Sequence, residues 1–187
     1  GKSLVALSDE SGELEFWRLP ANGVGRGEAF TTNGTVFRYS SVPSPDGKRL
    51  AWTDKDLKLW LHELETHQTT LVAESARGGL EEFAWSPDSQ WLAYTDSASN
   101  NVQQIHLYQV TNAAHAVVTS DRVESYSPAW SPDGKWLYFL SDRELRSLVS
   151  SPWGVRQPEP FFTETTKMYA LALTKDQRWP FQSKDEL

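Results

Sequence analysis

Residues 131–142 read SPDGKWLYFLSD; nearly the same words stand at 86–96, SPDSQWLAYTD, and at 44–54, SPDGKRLAWTD. A catalytic motif is needed once, whereas a phrase that returns at a steady interval is a structural unit. Aligned on Ser44, Ser86 and Ser131, the repeats are 42 and 45 residues apart, the length of one four-stranded propeller blade. Each phrase runs into a strand. Leu50, Leu92 and Leu137 hold the same slot, with Trp52, Tyr94 and Phe139 two residues on. Period two puts each pair on one sheet face. Ala51, Ala93 and Tyr138 stand between them, so the other face is apolar too. Strands of this kind are buried on both faces, as in sheets that have a neighbour on each side.

The phrase itself reads as a hairpin turn: Ser44-Pro45-Asp46-Gly47, Ser86-Pro87-Asp88 and Ser131-Pro132-Asp133-Gly134. Pro presets φ, Asp bonds nearby backbone N–H groups, and Gly tolerates positive φ. Ser89 replaces the glycine of the second unit, so that turn takes a negative φ or tolerates strain. Third strands are expected at 57–64, 102–110 and 167–173, and fourth strands at 69–74 and 115–120. The opening GKSLVALSD aligns with GKRLAWTD, which makes ELEFWRLP (13–20) and EAFTT (28–32) the later strands of a first unit.

These units predict an all-β partial β-propeller of about four blades, with WD40-like or TolB-like blades of four antiparallel strands. The expected division is an incomplete blade at 1–34, blades at 35–77 and 78–122, and a blade at 123–187 carrying a long insertion at 143–166. Propellers close with about 4–8 blades, so the chain reads as a portion of a larger protein.

Composition excludes several functions. Nine Trp, six Tyr and eight Phe among 187 residues favour β-structure. A net charge of −7 argues against nucleic-acid binding, which needs a basic surface. There is no Cys, which removes disulfides and thiolate chemistry. No apolar run approaches the roughly 20 residues of a membrane span. His62 and His67, and His106 and His115, lack a zinc spacing, and the recurrent Asp residues fall at separate corners, so neither a metal nor a cofactor is expected. No GxSxG or Ser-His-Asp arrangement appears, so no catalytic residue is assigned. The closing KDEL (184–187) matches an ER-retention signal but reads as a coincidence, because the chain ends inside a blade. The most function-like stretch is the insertion, a candidate channel or interdomain loop. It carries Arg143, Arg146, Trp153, Arg156, Phe161 and Phe162 and exceeds the usual hairpin length.

The SPDGKWLYFLSD phrase, followed by SSPWGVRQPEPFF, TTKMYALAL and RWPF, resembles the propeller region of tricorn protease homologues. The block at about 136–187 carries the specific part of the likeness. The resemblance implies a piece of the seven-bladed propeller of a large homo-oligomeric serine peptidase. Its role would be to shape or gate the passage of peptides to a catalytic domain outside this chain, in contact with other domains of the parent. It implies a cytoplasmic location, with the periplasm as the alternative. The other readings are a TolB-like binding propeller and the propeller cap of an S9-type peptidase.

Overall fold

Three times the chain meets Ser-Pro-Asp and turns back on itself in the same way. Ser44 donates its hydroxyl to Asp46 Oδ1 (2.6 Å) and accepts the N–H of Arg49 (3.0 Å), while Asp46 Oδ1 accepts the N–H of Lys48 (3.0 Å). Ser86 with Asp88, and Ser131 with Asp133, repeat this set, receiving the N–H groups of Trp91 and Trp136 at 2.9 Å. The three serines are buried, so each hydroxyl satisfies backbone groups that would otherwise be stranded.

The computed structural model describes residues 1, 3–32, 34–78, 80, 82–144, 147–148, 161–162 and 164–182. Its strands form four antiparallel radial sheets and one short ribbon. The first sheet holds β1 (Ser3–Ser8), β2 (Glu15–Pro20) and β3 (Glu28–Ala29). The second holds β4 (Arg38–Pro43), β5 (Arg49–Asp54), β6 (Lys58–Glu63) and β7 (Thr69–Glu74). The third holds β8 (Phe83–Trp85), β9 (Trp91–Ser97), β10 (Gln103–Gln109) and β11 (Ala114–Val117). The fourth holds β12 (Ser125–Trp130), β13 (Trp136–Ser141) and β16 (Lys167–Ala172), and the ribbon pairs β14 (Ser147–Leu148) with β15 (Phe161–Phe162). Neighbouring strands are consecutive in sequence within the first three sheets.

The core lies in the seams between sheets. Leu50 and Trp52 of β5 join Phe16 and Phe30 of the first sheet, while Ala51 between them joins Trp85, Leu92 and Tyr94 of the third. Likewise Ala93 and Ile105 meet Leu137 and Phe139 of the fourth sheet. The double-faced strands therefore bury both faces, at about 1.5–3 kcal/mol for each large side chain.

Each later seam also carries a directed bond. The indole N–H of Trp85 donates to the carbonyl of Val42 (3.0 Å), and that of Trp130 donates to the carbonyl of Ala84 (3.0 Å). Trp85 and Trp130 immediately precede their turn serines, and the acceptors stand two residues before the turn serine of the preceding sheet. In the second sheet the equivalent place holds Pro43, which has no N–H to offer, so the seam with the first sheet is built differently.

Ser89 takes the strained alternative. Its φ is 60°, beside 69° at both Gly47 and Gly134. The left-handed conformation costs a non-glycine residue about 1–2 kcal/mol. The side chain offsets this by bridging two sheets: Ser89 Oγ accepts the N–H of Asp46 (3.1 Å), and its carbonyl accepts Arg49 Nη1 (3.3 Å).

Two outer strands are shorter than the sequence suggests. EAFTT pairs as a strand only at Glu28–Ala29, because the hydroxyl of Thr31 takes the N–H of Phe16 (2.8 Å). The stretch expected at 115–120 ends at Val117, with Thr119 Oγ1 taking the N–H of Ile105 (2.9 Å). Side-chain oxygens here replace the ladder. Gly34 is required by close approach, since a Cβ there would collide with the carbonyl of Leu14.

Replacing Trp85 or Trp130 with Phe keeps a ring in the seam but removes the indole donor. Each change is expected to destabilise the chain by about 1–2 kcal/mol in urea unfolding. A loss below a few tenths at both positions would show that the indole bonds contribute nothing.

Candidate functional site

The first strands of the second, third and fourth sheets, β4, β8 and β12, converge on one groove. Counting back four places from each turn serine gives Ser40, Glu82 and Ser127, and all three line this groove of about 500 Å³ with Val42, Phe83 and Ala129. The register is broken by bulges between Arg38 and Ser41 and between Tyr126 and Ala129, which turn these positions toward the groove. Ser127 sits in the second bulge with φ 53°. Its N–H and hydroxyl both donate to the carboxylate of Glu82, the latter at 3.1 Å. The acid of the groove is thus tied to the neighbouring sheet. Around it the exposed side chains Ser40, Val42, Ser127 and Ala129 are uncharged.

The Ser-Pro-Asp turns join the first and second strands of the second, third and fourth sheets. Those of the third and fourth sheets border a second cleft of about 450 Å³, with Pro87, Trp91, Leu107 and Trp130 in its wall. The Asp133 carboxyl is held below the usual range by the hydroxyl of Ser131 and the N–H of Lys135. That is what an acid fixed in a turn should show.

Arg143 does not reach toward the groove. It folds back over the rings of Tyr169 and Phe139, 4.8 and 5.6 Å from their centroids, and its Nε donates to Ser141 Oγ. Phe161 and Phe162 form β15 by backbone pairing with Ser147–Leu148. Arg146, Trp153 and Arg156 lie outside the described residues, as do the side chains of Phe161 and Phe162.

The seam between the first and second sheets holds a third cleft, of about 520 Å³, lined by Phe30, Arg38, Trp52, Trp60, His62 and His67. At its base Arg38 and Glu15 form an ion pair with 8% and 5% of their side chains exposed. Thr31 donates to the same carboxylate (2.6 Å), Gly34 donates its N–H, and Arg38 also reaches the carbonyls of Leu14 and Thr32. The guanidinium lies 5.7 Å from the ring centres of both Phe16 and Trp52. This network lies at the start of β4, at the opposite end of that strand from Pro43. It is also the feature that the sequence pattern missed; the one signal was an acid inside the apolar run ELEFWRLP.

His62 is 1% exposed. Its Nδ1 lies 2.9 Å from Thr69 Oγ1, and burial, with His67 and Arg38 nearby, pulls its pKa down to about 4. The rings of His62 and His67 come within 6.1 Å. Among the described residues no three His, Asp or Glu side chains gather as a metal site would require.

A family model described as the tricorn protease second beta propeller domain matches residues 1–187. Tricorn protease homolog 1 of Streptomyces coelicolor is 36% identical over 145 residues, which cover 75% of this chain and 13% of that protein. The tricorn protease homolog of Saccharolobus solfataricus is 32% identical over 102 residues, 54% of this chain and 10% of the relative. The chain therefore spans a small part of the curated relatives that it matches. Among solved structures, a crystal structure of the tricorn protease superposes with a TM-score of 0.80 at 21% identity, over 95% of this chain and 17% of the other. TolB from Acinetobacter baumannii superposes with a TM-score of 0.56 at 17% identity, over 94% of this chain and 39% of the other.

Arg38→Met strands the Glu15 carboxylate in the seam without its cation. The expected cost is about 3–5 kcal/mol, read from denaturant midpoints. A cost below about 1 kcal/mol would mean that the ion pair is open to water.

Proposed function

Because this chain belongs to the family of the tricorn protease second β-propeller domain, we propose that it forms an arc of a channel wall that shapes or gates peptide access to a catalytic domain outside it. The observation that carries this reading is the inner groove. Strands β4 and β12 present Ser40, Val42, Ser127 and Ala129 to it, and the acid at Glu82 is occupied by Ser127. A wall of small neutral groups neither holds nor repels a passing peptide by charge. Radial blades leave an axial channel, and a narrow channel admits unfolded chains while excluding folded ones. Selection of this kind depends on pore shape and needs no reactive side chain. On this reading the parent is a serine peptidase, homo-oligomeric and cytoplasmic, and the clefts between sheets are packing features.

Two experiments test the proposal. In the peptidase that carries this chain, Ser40→Trp together with Ser127→Trp narrows the groove. The expected outcome is a lower kcat/KM for long peptides, with turnover of a di- or tripeptide amide unchanged. Equal loss for both substrate lengths, or no loss, would contradict channel passage. The isolated chain should hydrolyse no member of a fluorogenic peptide panel. Turnover that persists through stringent purification would overturn its non-catalytic role.

A further inference from the structure

We propose that the seam between the first and second sheets is a pH-sensitive joint, in which protonation of His62 loosens the first sheet from the second. The geometry sets this up. The His62 ring is packed 5.3 Å from the ring of Phe30, which the first sheet contributes, and 6.0 Å from the ring of Trp52. Nδ1 is engaged with Thr69 Oγ1, while Nε2 is buried with no hydrogen-bond partner among the described residues. A neutral imidazole tolerates that position. An imidazolium carries N–H donors on both nitrogens, and the second would be buried with no acceptor among the described residues, at a desolvation cost.

Three of the four neighbouring groups that act on the ring by charge oppose its taking a proton. Arg18 of β2, Arg38 of β4 and His67 of the following turn all oppose a positive charge there, and Glu63 of β6 favours it. Glu63 is already paired with Arg49, and Glu15 with Arg38. Asp54, which lines the same cleft, accepts the Trp60 indole N–H (2.6 Å) and the backbone N–H groups of Asp56 and Lys58. The acids of the seam are therefore committed elsewhere.

The sign follows from linkage. Packed, the ring titrates at about 4; once the sheets part and water reaches it, it titrates near the ordinary value of about 6.5. The closed seam is at full strength above about pH 6.5 and weakens as pH falls toward about 4. Between about pH 7 and about pH 5 the opening equilibrium should rise about 20-fold. The seam between the third and fourth sheets is a fitting control, since the core of that seam is Ala93, Ile105, Leu107, Leu137 and Phe139.

Hydrogen exchange read by mass spectrometry, corrected for intrinsic rates, tests the joint. Between about pH 7 and about pH 5, peptides covering Glu15–Pro20 and Lys58–Glu63 should lose protection by about 20-fold relative to Trp136–Ser141. In His62→Phe the difference should vanish. A uniform change across all three peptides, or the same pH response in His62→Phe, would overturn the proposal. Where that variant does not fold, the imidazole C–H shift of His62 in the unaltered protein decides. A midpoint near 4 supports the joint, and one near 6.5 removes it.

Discussion

The indole N–H of Trp85 ends on the carbonyl of Val42, and that of Trp130 on the carbonyl of Ala84. A sheet with two apolar faces needs a neighbour on each side, yet apolar contact is non-directional and leaves the neighbour free to slide. A single hydrogen bond from the end of one sheet's first strand to the matching strand of the next removes that freedom. It works because the Ser-Pro-Asp turn fixes where the strand ends. The buried Ser86 and Ser131 hydroxyls close their turns, and the Trp that precedes each serine is held at one height on the blade. Turn, indole and seam thus form a chain of dependence, and the period of the sequence is the period of that chain.

The seams are alike in shape but differ in chemistry. Where Pro43 takes the place of the donor, the first and second sheets are joined by Arg38, Glu15 and Thr31 beneath an aromatic cluster. Buried ion pairs are costly to desolvate, and this one leaves a cleft of about 520 Å³ beside it. The later seams carry indole bonds, and charged groups that bond across them, Arg49 and Glu82 among them, meet neutral partners. A propeller assembled from such unequal joints concentrates its sensitivity to charge in one of them.

Much of this architecture was legible in the residues, because the repeat exposes it. The turns, the paired slots at Leu50/Trp52 and Leu92/Tyr94, and the double-faced strands follow from alternation and spacing alone. What could not be read depends on partners far away in sequence. Glu15 and Arg38 are 23 residues apart, and nothing local in either strand names the other. Ser89 looked like a defect in a glycine turn; only the third dimension shows its hydroxyl meeting Asp46, 43 residues earlier. The outer strands were overdrawn at Thr31 and Thr119 because a hydroxyl can replace a backbone acceptor without changing the apolar pattern. The candidate loop arginines illustrate the same limit: Arg143 looked available to a channel, and it is spent on the rings of Phe139 and Tyr169.

A channel wall does its work by holding a shape, so the stiffness of the seams matters more than any reactive group. The most direct test of that account is the exchange of individual indole protons, followed by nitrogen-edited NMR on the folded chain. Trp85 and Trp130 should show Nε1–H signals protected from solvent by orders of magnitude relative to Trp179, which is 41% exposed. Exchange of Trp85 and Trp130 at the rate of Trp179 would contradict the account, because the bonds that align one blade with the next would then be open in solution.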